Sequence, residues 1–121
     1  MSRLILVIED QEDNRRIMRD LFTSAGYEVI EAIDGEEGII SAETQHPDLI
    51  LMDIQLPGID GYETTRRIKA NPDLSGITII AVTSYALSGD DAKAYEAGCD
   101  DYVAKPYSPR QLLAKVREYL P

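Results

Sequence analysis

The chain has 121 residues, one cysteine, and 22 acidic against 12 basic side chains, for a formal net charge of −10. That length suits a single domain with its own hydrophobic core, while the charge argues against nucleic acid, which demands a basic patch, and against an anionic membrane surface. No apolar run is long enough to span a bilayer, the apolar pattern starts too close to Met1 for a signal peptide, and Cys99 has no partner for an internal disulfide, so a reducing, cytoplasmic location is expected.

Leu4 to Ile8 is an unbroken apolar run, the mark of a strand buried on both faces. It ends in Glu9-Asp10. A helix is expected from Asn14, with Ile17, Met18, Leu21, Phe22 and Ala25 inward and Arg15, Arg16, Arg19 and Asp20 outward, stopping at Gly26. Tyr27 to Ala32 is a shorter, more charged strand that suits a sheet edge. After the Asp34-Gly35 turn, Glu36 to Thr44 is a weakly amphipathic helix with Ile39, Ile40 and Ala42 as buried candidates. His46, the only histidine, stands in a loop before Pro47 and is expected to face solvent.

Leu49 to Met52 is a third strand, running into Asp53 and then Pro57-Gly58. A helix over about Tyr62 to Ala70 follows, with Ile68 inward; Asn71-Pro72-Asp73 ends it. Ile77 to Val82 is a fourth strand, ending in Thr83-Ser84, and Ser88 to Asp91 reads as the start of a helix that stops at Gly98. Cys99 reads as a small buried hydrophobe. Asp101 to Ala104 is a fifth strand, ending in Lys105-Pro106. Ser108 caps a last helix that opens on Pro109 and carries the stripe Leu112, Leu113, Val116 and Leu120. Strand and helix therefore alternate five times, which defines an α/β fold with a parallel sheet covered on both faces.

Four of these strands end on residues with chemical potential: Glu9-Asp10, Asp53, Thr83 and Lys105. In a parallel sheet those ends share one edge, where ligands gather. Three carboxylates brought together repel one another and need a cation. Oxygen ligands without His or Cys suit a hard cation, magnesium with manganese as the alternative. A lysine and a hydroxyl beside them suit a phosphoryl group, and a carboxylate can itself be the nucleophile that becomes an aspartyl phosphate. Asp53, alone at the end of a buried strand, is the candidate acceptor, and Glu9-Asp10 the candidate metal pair.

In Glu9-Asp10, in Leu51-Met52-Asp53-Ile54-Gln55-Leu56-Pro57-Gly58, in Thr83 and in Lys105-Pro106, the chain resembles the receiver domain of two-component response regulators over nearly its whole length. The segments Met52 to Pro57 and Ala97-Gly98-Cys99 are similar to those of stand-alone DivK-type receivers, and also to receivers attached to hybrid histidine kinases. The resemblance implies a flavodoxin-like (βα)5 three-layer sandwich with strand order 2-1-3-4-5, occupying residues 1–121 with no output domain. It implies that Asp53 accepts a phosphoryl group from a sensor histidine kinase or a histidine phosphotransfer protein. Asp10, Asp53 and the Gln55 carbonyl would hold magnesium, with Glu9 acting largely through water. Lys105 would contact the phosphoryl group, and the Lys105-Pro106 peptide would be cis. Thr83 and Tyr102 would form the switch that alters the face of the last two helices and fifth strand, where a downstream target docks; homodimerisation through that face stays open. Gln55, Ser84 and Tyr85 flank the site at positions that tune phosphoryl loss, and the bulk of Tyr85 is expected to hinder the attacking water.

Other classes fit less well. A flavodoxin-like cofactor binder needs a hydroxyl- or glycine-rich loop after the first strand, where this chain has acids. A phosphatase of the haloacid-dehalogenase pattern needs a second Asp where Gln55 stands, and the glycine loop of a P-loop NTPase is missing. A receiver-like docking module that takes no phosphate is the remaining alternative.

Overall fold

A computed structural model describes residues 3–83 and 90–121. Its elements alternate as the sequence predicts: β1 (Leu4–Ile8), α1 (Glu12–Ser24), β2 (Glu28–Ala32), α2 (Gly35–Gln45), β3 (Leu49–Asp53), α3 (Gly61–Ala70), β4 (Thr78–Thr83), α4 (Asp90–Ala97), β5 (Asp101–Ala104) and α5 (Pro109–Tyr119). All pairings are parallel, in the order β2-β1-β3-β4-β5. The chain thus has the flavodoxin-like arrangement, with β3 at its centre and the more charged β2 at an edge.

The strands divide their side chains between two cores. Ile5, Val7, Leu49, Leu51, Ile80 and Val82 pack on one face with Met18 and Phe22 of α1 and Leu112 and Val116 of α5. Leu6, Ile8, Ile50, Met52, Ile79 and Ala81 pack on the other with Ala42 of α2, Ile68 of α3 and Ala94 of α4. Period-two alternation produces this split, because successive side chains leave a strand on opposite faces. The continuous apolar runs exist because both faces are covered.

Local chemistry sets the helix ends. Asp34 and Asp60 cap α2 and α3 by accepting from the amides of Glu37 and Glu63, at 2.8 and 2.9 Å. Ser108 and Gln111 form a reciprocal capping box at α5, with Pro109 just inside. The αL cap of α2 is His46, at φ 47°, exposed as expected.

Several expectations shift. Helix α1 begins at Glu12 rather than Asn14, β2 at Glu28 rather than Tyr27, and β4 runs one residue later than predicted, to Thr83 itself. Ile17 and Ile40 are 50% and 61% exposed rather than inward. Helix α1 packs through Met18 and Phe22, which turns Ile17 aside. Helix α2 approaches the sheet through Gly38, where any Cβ would collide with the side chain of Ile8, and through Ala42. That small-residue contact leaves Ile39 partly covered and Ile40 facing out.

Candidate functional site

Glu9 follows β1, Asp53 ends β3 and Lys105 follows β5, so all three meet at the C-terminal edge of the sheet. They also continue one alternation, Ile5-Val7-Glu9, Leu49-Leu51-Asp53 and Val103-Lys105, toward the side covered by α1 and α5. Glu9 and Asp53 are nearly sealed, at 1% and 5% exposure. Asp10 is the most open of the acids, and one oxygen from each of Glu9, Asp10 and Asp53 lies within 4.8 Å of the others. The Lys105 ammonium bridges two of them, 3.5 Å from Asp53 Oδ1 and 3.7 Å from Glu9 Oε1.

Each buried acid is held by donors. Glu9 accepts from the Gln11 amide at 3.1 Å and from the Asn14 side-chain amide at 3.2 Å. The Gln55 amide donates to Asp53 Oδ1 at 3.1 Å, which fixes the plane of that carboxylate. At the start of α3, Gly61 approaches the strand end so closely that a Cβ there would strike the Asp53 carbonyl oxygen. Its amide donates to the Ile54 carbonyl at 2.9 Å. Asp10 lacks comparable support: burial, a hydrogen bond shared with Glu9 and the Glu9 charge together push its carboxyl above the ordinary value of 3.8.

Thr83 is buried at the end of β4, two residues beyond Ala81 of the core under α2, α3 and α4, and its carbonyl accepts from the Lys105 amide at 2.7 Å. Tyr102, which is opposite Ala81 in the β4–β5 register, is half-buried against that same core. Its ring meets Tyr95 edge-on, with centroids 6.0 Å apart. The Lys105–Pro106 peptide is cis. Ser84 and Tyr85 lie outside the described residues, as do Ser88 and Gly89 of the expected α4 start. Cys99 is buried, 3.7 Å from the Thr65 hydroxyl, and burial pushes its thiol up.

Sequence reasoning missed three neighbours. Helical periodicity puts Asn14 and Arg15 only at a helix start and on its solvent face, yet both turn back to the acidic strand end. Tyr107 packs against the α1–α5 core, where burial and the charges of Glu9 and Asp53 push its hydroxyl up to about 12. A groove of about 580 Å³ opens beside it, lined by Asn14, Ile17, Lys105, Pro106, Tyr107 and Pro109, and gives the exposed Ile17 its setting. The available signal was position: Asn14 and Arg15 occupy the first turns of the helix that follows the acidic strand end.

This constellation of carboxylates and a lysine at the strand ends of a 2-1-3-4-5 sheet defines a class that comparison with known proteins identifies. Residues 5–117 match the response regulator receiver domain, and the chain belongs to that family. It is 40% identical over 120 residues to the polar-differentiation response regulator DivK of Brucella ovis, covering 99% of this chain and 98% of that protein. It superposes with TM-score 0.91 and 38% identity on the receiver domain of a Pseudomonas aeruginosa sensor histidine kinase, which has magnesium coordinated in its active-site cleft, covering 99% and 98% of the two chains. The chemotaxis response regulator CheY4 of Vibrio cholerae, at 23% identity and TM-score 0.93, shares the fold, with 98% and 99% covered. The chain is therefore a signalling receiver of the two-component class, and its acidic cluster suits a magnesium site. Among the described residues no helix is long and apolar enough to cross a membrane.

Proposed function

We propose that this receiver accepts a phosphoryl group on Asp53 from a phosphohistidine of a cytoplasmic sensor histidine kinase or histidine phosphotransfer protein, and catalyses that transfer itself. The observation that carries the reading is the Lys105 ammonium between Asp53 and Glu9, beside a third carboxylate within 4.8 Å. An oxygen-only donor set with paired acids fits magnesium, or manganese, better than a softer metal. Asp10, Asp53 and the Gln55 carbonyl would hold the ion, with Glu9 acting through water. The chemistry such an ion supplies when bound is neutralisation of charge at the phosphoryl oxygens.

The residues do the rest. An Asp53 carboxylate oxygen attacks phosphorus, an O–P bond forms, and the P–N bond to the histidine breaks, with the electron pair going to the imidazole. Asp53 enters that step already oriented by the Gln55 amide. Lys105 is close enough to stabilise charge on the transferred group. Its amide is tied to the Thr83 carbonyl, so the phosphoryl site and the switch position share a hydrogen bond. Thr83 moving toward the phosphoryl group and Tyr102 turning inward from Tyr95 would remodel the face of α4, β5 and α5, which a downstream protein reads. Hydrolysis of the aspartyl phosphate, tuned by the side chains of Gln55, Ser84 and Tyr85, resets the state.

Intact mass after incubation with magnesium and acetyl phosphate tests this, run beside Asp53→Asn. A gain of one phosphoryl unit in the parent alone is the expected outcome. A folded, magnesium-binding parent that gains nothing from acetyl phosphate or from a phosphorylated histidine kinase would identify a docking module instead.

A further inference from the structure

Arg15 stands behind the acidic pair. Its Nη1 donates to two consecutive backbone carbonyls, Glu9 at 2.9 Å and Asp10 at 3.0 Å. Those carbonyls belong to the two peptide planes that flank the Asp10 Cα. Fixing both planes fixes the Asp10 backbone dihedrals, and hence the direction in which its carboxylate leaves the chain. Of the carboxylate's own contacts, the one with Gln11 Nε2 is long, at 3.4 Å. The carboxylate's placement therefore depends on the backbone beneath it.

The guanidinium is in turn positioned by the sheet edge. Arg15 Nε lies 3.4 Å from Glu31 Oε1 on β2, while Arg19 holds the other Glu31 oxygen at 2.8 Å. Arg15 is only 15% exposed, so the pair is shielded from solvent and its geometry is well defined. Glu31 also offsets the guanidinium charge, which otherwise would oppose a cation arriving at Asp10. Hydrogen bonds with a charged donor rank among the stronger ones in proteins.

We propose that Arg15, oriented by Glu31, is a positioning residue that sets the Glu9-Asp10 backbone for divalent-cation binding. The proposal rests on reading Glu9, Asp10 and Asp53 as a magnesium site. Outer partners that orient metal ligands typically change metal affinity by about 10–100-fold when removed. The sign of the effect separates positioning from simple electrostatics. Deleting a cation near the site would tighten magnesium binding if charge alone mattered, whereas loss of positioning weakens it.

The test is calorimetric titration of magnesium into the parent, Arg15→Met, Arg15→Lys and Glu31→Gln, with thermal unfolding of each recorded in parallel. Arg15→Met keeps the aliphatic stem and loses the donors, and is expected to weaken binding about tenfold or more. Arg15→Lys, with a charge but no fork, recovers part of the loss. Glu31→Gln leaves the guanidinium charge uncompensated and weakens binding most at low salt. Magnesium affinity within twofold of the parent in both Arg15 variants overturns the proposal, whatever happens to the unfolding temperature, because Arg15 would then be only a tie between α1 and β1. Tighter binding in Arg15→Met overturns it as well. If Arg15→Met does not fold, Arg15→Lys and Glu31→Gln decide the matter. A parent that binds no magnesium at all would instead refute the site reading, a result distinct from either.

Discussion

At the residue scale, the site combines groups whose charges conflict unless a cation arrives. Lys105 serves Glu9 and Asp53, which are buried, while burial and the neighbouring Glu9 hold the Asp10 carboxyl above 3.8. The consequence for stability has a definite sign. At neutral pH the folded protein holds Asp10 ionised against burial and the Glu9 charge, a cost absent from the unfolded chain; below 3.8 the group is protonated in both states and the cost is gone. Asp10→Asn is therefore expected to raise the thermal unfolding midpoint at pH 7 without metal. The gain should shrink as pH falls from the raised folded value toward 3.8, and calorimetric scans across that range check it. The residue types at this site were legible because each stands at the end of an apolar run. The supporting roles of Asn14 and Arg15 were not, because a helix's polar face looks alike whether it meets water or a neighbouring loop, and that of Tyr107 was not, because it stands in the loop before α5, outside any periodic pattern.

At the scale of elements, α3 is the one whose placement most directly affects Asp53. Its first residue, Gly61, lets the helix start against the end of β3. In an open helix, alanine would be about 1 kcal/mol better than glycine. Here the added Cβ meets the Asp53 backbone, which cannot yield as a flexible side chain would. Gly61→Ala is expected to lower stability by about 1–3 kcal/mol, read as a lower urea midpoint, and to slow acceptance of phosphate from acetyl phosphate because the strand end is displaced. The same kind of close approach explains the misread faces. Ile40 looked inward on a helical wheel, but α2 contacts the sheet through Gly38 and Ala42, and glycine carries no hydrophobic signal.

At the scale of the whole molecule, the site is a property of the assembled sheet, so a ligand there should stabilise the fold as a unit. Magnesium at about 100 times its dissociation constant is expected to raise the unfolding free energy by about 2.7 kcal/mol. Asp10→Asn should gain much less, and denaturant titrations with and without the metal measure both. The sequence by itself determined the alternation of strands and helices, the parallel sheet and the residue types at its edge. Continuous apolar strands, turn residues and caps are local signals, and a strand buried on both faces announces itself by composition. Family resemblance added the strand order. Only the tertiary structure decided on which face each strand-end group lies. A run such as Leu49 to Met52 is apolar at every position, so its pattern says nothing of which core each side chain joins. Assembly of the sheet brought Glu9, Asp53 and Lys105 together at its C-terminal edge, and packed Tyr102 against the core under α2, α3 and α4. Packing likewise decided that Arg15 would turn inward, since the carbonyls it serves and the Glu31 that orients it come together only when β1, β2 and α1 are in contact.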